Sequence, residues 1–436
     1  MKFHVLTWGC QMNDHDTEKM SGLLVSSGFS PADGIEEADI VLLNTCSIRE
    51  KAVHKVFSEL GRLKEIKANR ANKMIVGVTG CLAQQEKEKI FKRAPYVDLI
   101  MGTAAIRQLP KLLADAVSGV GRVIDTDFYK DNHLFPPEII LRGHTAKALV
   151  TITEGCDHAC TYCVVPTTRG EERHRPAADI LAEVRHLVER GFCEVELLGQ
   201  NVNSYQGGCT FAELLFKVAE IDGLEWIRFM TSHPMNFTQE LAHAIVTIPK
   251  VAPFLHLPIQ SGSDKILRRM GRGYTSQEYL ERIGYLGDRR DKMCISTDFI
   301  IGFPGETDED FEATMSVLEK VRFDASFSFI YSPRPDTSAL RLSDDLPESV
   351  KHERLTRLQT RQTELTFQSH RREVGNIVPV RIESQGPTEL GHWLARTAQW
   401  RNVHLETKEK RQLPFGRLVD ARITGAGPHW LKAEIV

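Results

Sequence analysis

Three cysteines in the middle of the chain are spaced closely enough to share one metal centre. Cys156, Cys160 and Cys163 form a C-x3-C-x2-C motif. A cubane iron–sulfur cluster has four irons that each take a terminal ligand, so three thiolates leave one iron open for chemistry. Zinc sites usually pair two cysteine knuckles or add histidines at a set distance. His158 lies inside the motif, but no second knuckle follows it, so the motif favours a [4Fe-4S] cluster over zinc.

A second set of three cysteines is dispersed along the first part of the chain. Cys10, Cys46 and Cys81 are separated by 36 and 35 residues, and each ends a short apolar run: FHVLTWGC, ADIVLLNTC and KMIVGVTGC. Helical patterns lie between these runs, which predicts parallel βαβ units in a doubly wound sheet. Ligands bind at the carboxyl ends of such strands. Each cysteine alone is typical of a core thiol, but the three together predict a second three-cysteine cluster.

The middle of the chain repeats an apolar strand followed by a polar exit. Six such strands lie between residues 148 and 331, fewer than the eight of a complete (β/α) barrel, which predicts a partial (β/α)6 TIM-like barrel with its site on the loops after the strands. These exits are also typical turn formers and caps, and His233 and His256 are as consistent with a structural role as with catalysis. The exits that we select as ligand groups are Gln200, Asn201, Ser232, Gln260 and Asp298.

The last part of the chain changes to a basic helix and then to short strands. Residues 351–372 form a positively charged amphipathic pattern, and residues 373–436 alternate short strands with Gly and Pro, as in a small all-β barrel. Basic and aromatic side chains on small barrels bind RNA in many proteins. The alternatives are a solvated helix face and tryptophans that fill a small core. The candidate RNA contacts are Arg371, Arg372, Trp393, Arg396 and Arg401.

The composition is that of an ordinary globular protein. The chain has 436 residues, 42% hydrophobic and 26% charged, and a formal net charge of −3, so its overall charge does not by itself predict nucleic-acid binding. No apolar run is long enough for a transmembrane helix, and the N-terminus has no signal-peptide pattern. Nine cysteines are an odd number for a disulfide framework. We therefore expect a cytoplasmic protein with no membrane partner.

Longer motifs around the cysteines resemble those of the methylthiotransferase family of radical S-adenosylmethionine (SAM) enzymes, over nearly the whole chain. They are GCQMNDHDTEKM around Cys10, NTCSIREKA around Cys46 and CDHACTYCVVPTTRGEERHRP at the central motif. The departures are mild: Thr17, Ile48, His174 and Asp336 replace the usual Ser, Val, Ser and Gly. The resemblance implies an N-terminal auxiliary-cluster domain at 1–125, a linker at 126–145, a radical SAM domain at 146–370 and a TRAM β-barrel, a type associated with RNA, at 371–436.

The resemblance also implies cofactors and roles for individual residues. It implies two [4Fe-4S] clusters held by the six cysteines, and SAM on the open iron of the central one. SAM binding would then involve the strand-exit residues together with the aromatic Tyr162. The residues that the resemblance places at the substrate or auxiliary site are Gln11, Asn13, Asn44, Arg49, Tyr331 and Arg334.

Within the family, Gln11 and Met12 favour the branch that acts on tRNA. The implied reaction adds a methylthio group to carbon 2 of isopentenyladenosine next to the anticodon. Such an enzyme needs an electron donor, such as flavodoxin or ferredoxin, and a sulfur source. Two alternatives remain in the family, threonylcarbamoyl-adenosine tRNA or a ribosomal protein as acceptor. A third is a zinc-containing RNA-binding protein without catalysis.

Overall fold

The fold was analysed in a computed structural model, which describes residues 1–47, 50–70, 72–119, 121–129, 135–143, 146–386, 391–407 and 413–436. In these ranges a parallel sheet is followed by a partial barrel and then by a small closed barrel. No helix in these ranges has both the length and the apolarity needed to cross a membrane.

The N-terminal body is a parallel sheet with helices on both faces. Its strands, in the spatial order β2-β1-β3-β4-β5-β6, are β1 Lys2–Trp8, β2 Ser30–Pro31, β3 Ile40–Thr45, β4 Ile75–Gly80, β5 Leu99–Met101 and β6 Val123–Asp125. Its helices are α1 Gln11–Ser26, α2 Glu50–Asn69, α3 Cys81–Glu86, α4 Lys89–Arg93 and α5 Leu109–Ser118. Apolar side chains of α2–α4 cover one face, and those of α1 and α5 cover the other. Strands β3 and β4 are buried along their whole length, as expected for strands covered on both faces. The predicted doubly wound sheet is confirmed.

The middle body is the predicted partial barrel. Its strands and the small hairpin at its top are β7 Lys147–Thr151, β8 Thr153–Glu154, β9 Arg173–His174, β10 Glu194–Leu198, β11 Trp226–Phe229, β12 Phe254–His256, β13 Cys294–Ile301 and β14 Ala325–Ile330. Its helices are α6 Val165–Arg169, α7 Ala177–Glu189, α8 Phe211–Ala219, α9 Gln239–Thr247, α10 Asp264–Arg269, α11 Ser276–Gly284, α12 Asp308–Val321 and α13 Glu348–Arg371. Parallel pairing runs β7-β10-β11 and β12-β13-β14, and a bridge between Ile227 and Val251 joins the two halves. In the described part of the chain β7 and β14 are the free edges, so the barrel is open between them.

Local sequence explains why the barrel helices begin where they do. Helix α8 starts after Thr210, whose hydroxyl accepts from the amide of Glu213 while the Glu213 carboxylate accepts from the amide of Thr210, at 3.2 and 2.8 Å. This reciprocal capping satisfies two amides that the first turn leaves free. The apolar stripe of the helix, which includes Leu214, Leu215 and Val218, is fully buried in the barrel core.

The C-terminal body is a closed barrel with the order β15-β16-β17-β19-β18. Its strands are β15 Ile377–Gln385, β16 His392–Thr397, β17 Asn402–Glu406, β18 Leu418–Ala426 and β19 Leu431–Ile435. This closed five-stranded barrel is consistent with a TRAM domain, as expected from the sequence.

The C-terminal barrel covers the N-terminal mouth of the partial barrel. Glu194, the first residue of β10, accepts hydrogen bonds from Arg228 Nε at 2.7 Å and from Arg381 Nε at 2.8 Å, and all three side chains are buried. The Trp400 ring lies beside Phe254, with centroids 5.5 Å apart, and 4.6 Å from the Arg228 guanidinium. The turn that carries Trp400 therefore plugs the barrel at the end opposite to the strand exits.

The basic helix α13 is tied to neighbouring parts of the chain by ion pairs. Lys351 pairs with Asp344 at 2.7 Å, Arg354 with Glu306 at 2.7 Å, and Arg361 with Glu319 at 2.5 Å. Arg357 also pairs with Glu312. The positive charge of residues 351–361 is therefore largely balanced by acids of the same chain.

Candidate active site

The first cysteine triplet lies at the carboxyl end of the barrel, in the loop after β8. The amide of Cys156 donates to the main-chain oxygen of Gly170 at 3.2 Å, and the amide of Val165 donates to Cys163 Sγ at 3.4 Å. The three cysteines lie in one loop of eight residues, where the charges of Cys156 and Cys160 both act on Cys163. Burial raises the pKa of Cys163 to about 12 and that of Cys156 to about 11. Such thiols remain protonated until a metal replaces the proton.

Gly155 is required by the turn that presents the first triplet. Its φ of +79° is in the left-handed region, and a Cβ would lie 2.0 Å from the main-chain oxygen of Glu171. Gly155 N also donates to Gln200 Oε1 at 2.5 Å. The predicted ligand residue Gln200 is thus fixed next to the triplet.

A buried arginine contacts the first triplet. Arg272 Nη1 lies 3.5 Å from both Cys160 Sγ and the Tyr162 hydroxyl. Its Nε donates to the Tyr274 hydroxyl at 3.0 Å, and its Nη2 donates to the Pro258 oxygen at 2.9 Å. The sequence patterns did not identify this contact.

The other predicted SAM residues lie at neighbouring strand exits. Asn201 Nδ2 and His158 Nε2 both lie 3.1 Å from Asn236 Oδ1, and His158 stacks on His233 with centroids 3.9 Å apart. The buried Ser232 hydroxyl has no hydrogen-bond partner among the described residues.

Gln260 and Asp298 are joined through the main chain. Gln260 N donates to the Asp298 oxygen at 2.9 Å, and Gln260 has a left-handed φ of +74°. The Asp298 carboxylate lies 3.5 Å from His256 Nε2. These contacts do not involve the cysteines, so the SAM-binding role of both residues remains a prediction.

The second triplet gathers at the carboxyl ends of adjacent strands, as predicted. Cys10 follows β1 and caps α1, Cys46 follows β3, and Cys81 follows β4 and begins α3. The charges of Cys46 and Cys10 act on Cys81, whose pKa burial raises to about 11, and burial also raises the pKa of Cys10.

Two asparagines that we predicted at the substrate or auxiliary site lie beside the second triplet. Asn13 Nδ2 donates to Asn44 Oδ1 at 3.2 Å, and Asn44 Nδ2 donates to the Asn13 oxygen at 2.8 Å. Asn13 Oδ1 also lies 3.5 Å from Cys10 Sγ. Both side chains are fully buried, so their position favours bracing the cysteine loops over contacting substrate.

The second triplet faces the same end of the barrel as the first. Cys10 and Met12 pack against Leu149 of β7 and Leu198 of β10. Gln11 Nε2 lies 3.4 Å from Met230 Sδ, just after β11. The predicted auxiliary residue Gln11 therefore contacts the barrel rim.

Arg169 connects the two triplets, and sequence reasoning missed it. It ends α6, six residues after Cys163, and its Nη2 lies 2.7 Å from Asp16 Oδ2 of α1. Burial lowers the pKa of the Arg169 guanidinium, but the charges of Asp16, Cys81 and Cys10 outweigh this effect and raise it. The segment after the first triplet thus places a buried positive charge beside the second.

The remaining predicted substrate residues are not gathered at one point. Tyr331 is buried against Phe303 with centroids 4.9 Å apart, and Tyr162 meets the edge of the same ring. Arg334 is half-buried, and its main-chain oxygen accepts from the Thr337 hydroxyl at 2.7 Å. Asp336 has a φ of +62°, which explains why the resembling motif has glycine there. Arg49 lies outside the described residues.

The predicted RNA contacts divide into buried and exposed groups. Trp393 lies in the core of the closed barrel, and Arg401 is buried in ion pairs with Asp324 and Glu373 at 3.3 and 2.5 Å. Both side chains are already buried by the protein itself, so they do not fit the prediction that they contact RNA.

The other predicted RNA contacts remain accessible to different degrees. Arg396 pairs with Glu383 at 2.6 Å, whereas Arg371 and Arg372 are exposed at the end of α13. The exposed aromatic rings of the closed barrel are Trp430, at 41%, and Phe415, at 60%. Trp430 meets His404 edge to face at 6.0 Å, and His404 stacks on His392.

The six cysteines have the donor chemistry of iron–sulfur ligation. Among the described residues, no three His, Cys, Asp or Glu side chains converge closely enough to hold one metal ion. A cubane binds each thiolate through a different iron. Three thiolates from a C-x3-C-x2-C loop at the top of a partial (β/α)6 barrel define a radical SAM enzyme.

Comparisons with known proteins agree with this class. Residues 150–318 match the Radical SAM superfamily, and residues 2–102 match a family described as Uncharacterized protein family UPF0004. A solved methyltransferase, TsrM from Kitasatospora setae, has the same fold with a TM-score of 0.57 and 12% identity, over 78% of this chain and 76% of that one.

Curated relatives identify the family. The chain is 43% identical to the tRNA-2-methylthio-N(6)-dimethylallyladenosine synthase of Koribacter versatilis, over 100% of this chain and 98% of that relative. It is 47% identical to the enzyme of the same name from Pseudoalteromonas atlantica, over 100% of this chain and 92% of the relative. The chain belongs to the tRNA-2-methylthio-N(6)-dimethylallyladenosine synthase family.

Proposed function

We propose that this chain replaces the hydrogen on carbon 2 of a dimethylallyladenosine next to the anticodon of tRNA with a methylthio group. The names of its full-length relatives specify this product. The structural observation that supports it is the pair of three-cysteine sites at one end of one barrel, where Cys10 and Met12 pack on Leu149 and Leu198. A single substrate molecule can therefore lie within reach of both sites.

The two triplets have different tasks in this proposal. Cys156, Cys160 and Cys163 hold the cluster that binds SAM, and the triplet on the N-terminal sheet holds the cluster that carries sulfur. When bound, SAM would supply both the methyl group and a radical strong enough to remove hydrogen from an aromatic carbon, one SAM molecule for each, and the second cluster would supply the sulfur. A C–H bond on an aromatic ring offers no acidic proton, so acid–base side chains alone would not suffice.

The residues of the chain bind, orient and exclude water. Arg272 places a positive charge at Cys160 and orients the Tyr162 hydroxyl. We propose that Tyr162, Gln200, Asn201, Ser232, Gln260 and Asp298 form the SAM site. Ser232 supports this role, because a buried hydroxyl without a partner in the described structure is satisfied by a polar ligand. Gln200 retains its amide nitrogen as a donor, since its oxygen is occupied by Gly155.

Further parts of the assignment are also proposals. We propose the domain boundaries 1–125, 126–145, 146–370 and 371–436, and the exposed Arg371 and Arg372 as RNA contacts. A reductant of the flavodoxin or ferredoxin type would supply electrons, and a separate sulfur donor would reload the second cluster. The tRNA substrate and such donors meet in the cytoplasm, which is the proposed location.

The direct test is anaerobic reconstitution followed by reaction with three acceptors. Anticodon stem-loop RNAs with dimethylallyladenosine or threonylcarbamoyl-adenosine, and a ribosomal protein, would each be incubated with SAM, dithionite and sulfide. Mass analysis should show a methylthio group only on the dimethylallyl RNA. A methylthio group on either other acceptor, and not on this one, would overturn the proposed substrate.

Single cysteine variants separate the two sites. Cys46→Ala should lose about half of the iron and all methylthio product while retaining SAM cleavage, because only the second cluster loses a ligand. Cys163→Ala should lose SAM cleavage as well. Cys209→Ala is the matched control, since this thiol packs against the hydrophobic core of the barrel and belongs to neither triplet. Unchanged iron in Cys46→Ala would make Cys46 a core thiol.

A further inference from the structure

Two large aromatic side chains are exposed inside the barrel. Phe327 and Phe329 on the edge strand β14 are 48% and 52% exposed. Between them, Ser328 accepts a hydrogen bond from Gln359 of α13 at 3.2 Å and so faces the outer helices. Because successive side chains of a strand point to opposite faces, both rings point into the barrel interior.

The neighbours of these rings confirm that direction. In the β13–β14 register Phe327 lies opposite Asp298, and Phe329 lies opposite Ile300. The Phe327 ring meets His256 edge to face at 6.0 Å, and His256 Nδ1 lies 2.8 Å from the Ser296 hydroxyl. Two apolar rings therefore stand beside a polar group of His256, Ser296 and Asp298 on the same interior surface.

The two rings lie beside the opening of the partial barrel. Phe327 and Phe329 lie on one free edge of the partial barrel, and the other free edge, β7, carries Leu149, which packs against Cys10 and Met12 of the second cysteine site. A nucleotide that enters between β7 and β14 would have the sulfur-carrying site on one side and the two rings on the other.

Exposed aromatic area in such a place indicates a ligand with an apolar part. We propose that Phe327 and Phe329 bind the branched five-carbon dimethylallyl group of the substrate adenosine, an inference that rests on the proposed function. This group has no hydrogen-bonding atoms, whereas the rest of the nucleotide is polar. The rings make the enzyme select adenosine that has already been alkylated, so the reaction that attaches the dimethylallyl group precedes this one.

The test measures RNA binding by the holoenzyme with two anticodon stem-loops, one with dimethylallyladenosine and one with adenosine at the target position. The wild-type enzyme should bind the alkylated RNA more tightly. Phe327→Ala/Phe329→Ala should lose about tenfold of this preference, the scale of discrimination that an apolar pocket provides, with unchanged affinity for the plain RNA. Phe329→Leu, which keeps an apolar side chain, should retain part of the preference for the alkylated RNA.

Ser328→Ala is the matched control, because it changes the same strand on the face turned to α13. It should retain the full preference. Iron content and SAM cleavage without RNA, measured for each variant, report an intact fold. A preference that persists in the double alanine variant, or that is absent in the wild-type enzyme, would overturn the proposal.

Two other outcomes separate the sources of failure. If the double variant loses SAM affinity while its RNA preference persists, the rings serve the adenosyl group of SAM and the proposal is wrong. If the wild-type enzyme prefers the alkylated RNA through these rings but forms no methylthio product, the binding inference stands and the proposed reaction fails.

Discussion

The buried carboxylate of Glu194 holds the C-terminal barrel against the mouth of the partial barrel. It accepts from Arg228 Nε at 2.7 Å and from Arg381 Nε at 2.8 Å, and its side chain is only 5% exposed. Both guanidinium groups also lie over the Trp226 ring, at 4.8 and 4.6 Å. In Glu194→Ala, Arg228 would lose its carboxylate partner in this buried interface, whereas Arg381 would keep Glu225 at 2.8 Å.

The expected cost follows from the burial of the network. Removing one partner of a buried ion pair costs about 3–5 kcal/mol, because a charge remains desolvated and unpaired. Glu406, which pairs with Lys432 on the exposed side of the same barrel at 2.9 Å, provides the control. Exposed pairs contribute about 0–1 kcal/mol, so Glu406→Ala should change little. Glu194→Gln retains an acceptor and should lose less than Glu194→Ala.

Hydrogen exchange measured by mass spectrometry is the suitable assay. A chain with several domains and clusters has no single free energy of unfolding, whereas exchange reports the opening free energy of each segment. Peptides from β15–β19 should show an opening free energy lowered by about 3–5 kcal/mol in Glu194→Ala. Equal protection in Glu194→Ala and Glu406→Ala would refute the idea that this network fastens the barrel.

Three further predictions concern the cysteine sites. Arg169→Leu removes a positive charge beside the second triplet and should shift the reduction potential of that cluster to more negative values, with the first cluster unchanged, in an EPR-monitored titration; equal potentials would contradict this. Gly155→Ala should lower iron by about half, because its Cβ would clash with the turn, while Gly284→Ala, with open space around it, should retain iron; full iron in both would contradict it. Burial lowers the pKa of His233 to about 2. Below about pH 6.5, His233 therefore binds a proton in the unfolded chain but stays neutral in the native chain, which favours unfolding. The stability that His233 contributes is thus present above pH 6.5 and lost below it. The opening free energy of peptides around His233, measured by hydrogen exchange, should therefore fall less between pH 6.5 and 5.5 in His233→Asn than in wild type, and parallel curves would be the contrary result.

The six cysteine positions could be predicted because their signal is local. Cys156, Cys160 and Cys163 lie within eight residues, and each dispersed cysteine follows an apolar run that forms a parallel strand. Strand ends in one parallel sheet meet at one edge, so topology alone gathers the second triplet. The six barrel strands were found for the same reason.

Contacts between distant parts of the chain were not predictable from local patterns. Arg228 donates to the main-chain oxygens of Ala398 and Thr397, 170 and 169 residues away, and composition indicates nothing of such a pairing. The burial of Trp393 was not predictable for another reason. In β16 buried and half-buried residues alternate, and a shift of one residue in register would have turned Trp393 outward.

The plug at the barrel mouth has a consequence for how the protein is made. All six cysteines have been synthesised by residue 163, but Arg381 follows Glu194 by 187 residues. Domains at the N-terminus fold first as the chain leaves the ribosome. The cluster-binding loops are therefore complete while Trp226 and Phe254 still lack their cover. Nascent chains that stop before Trp400 expose these two aromatic rings, which chaperones can bind and which can promote aggregation.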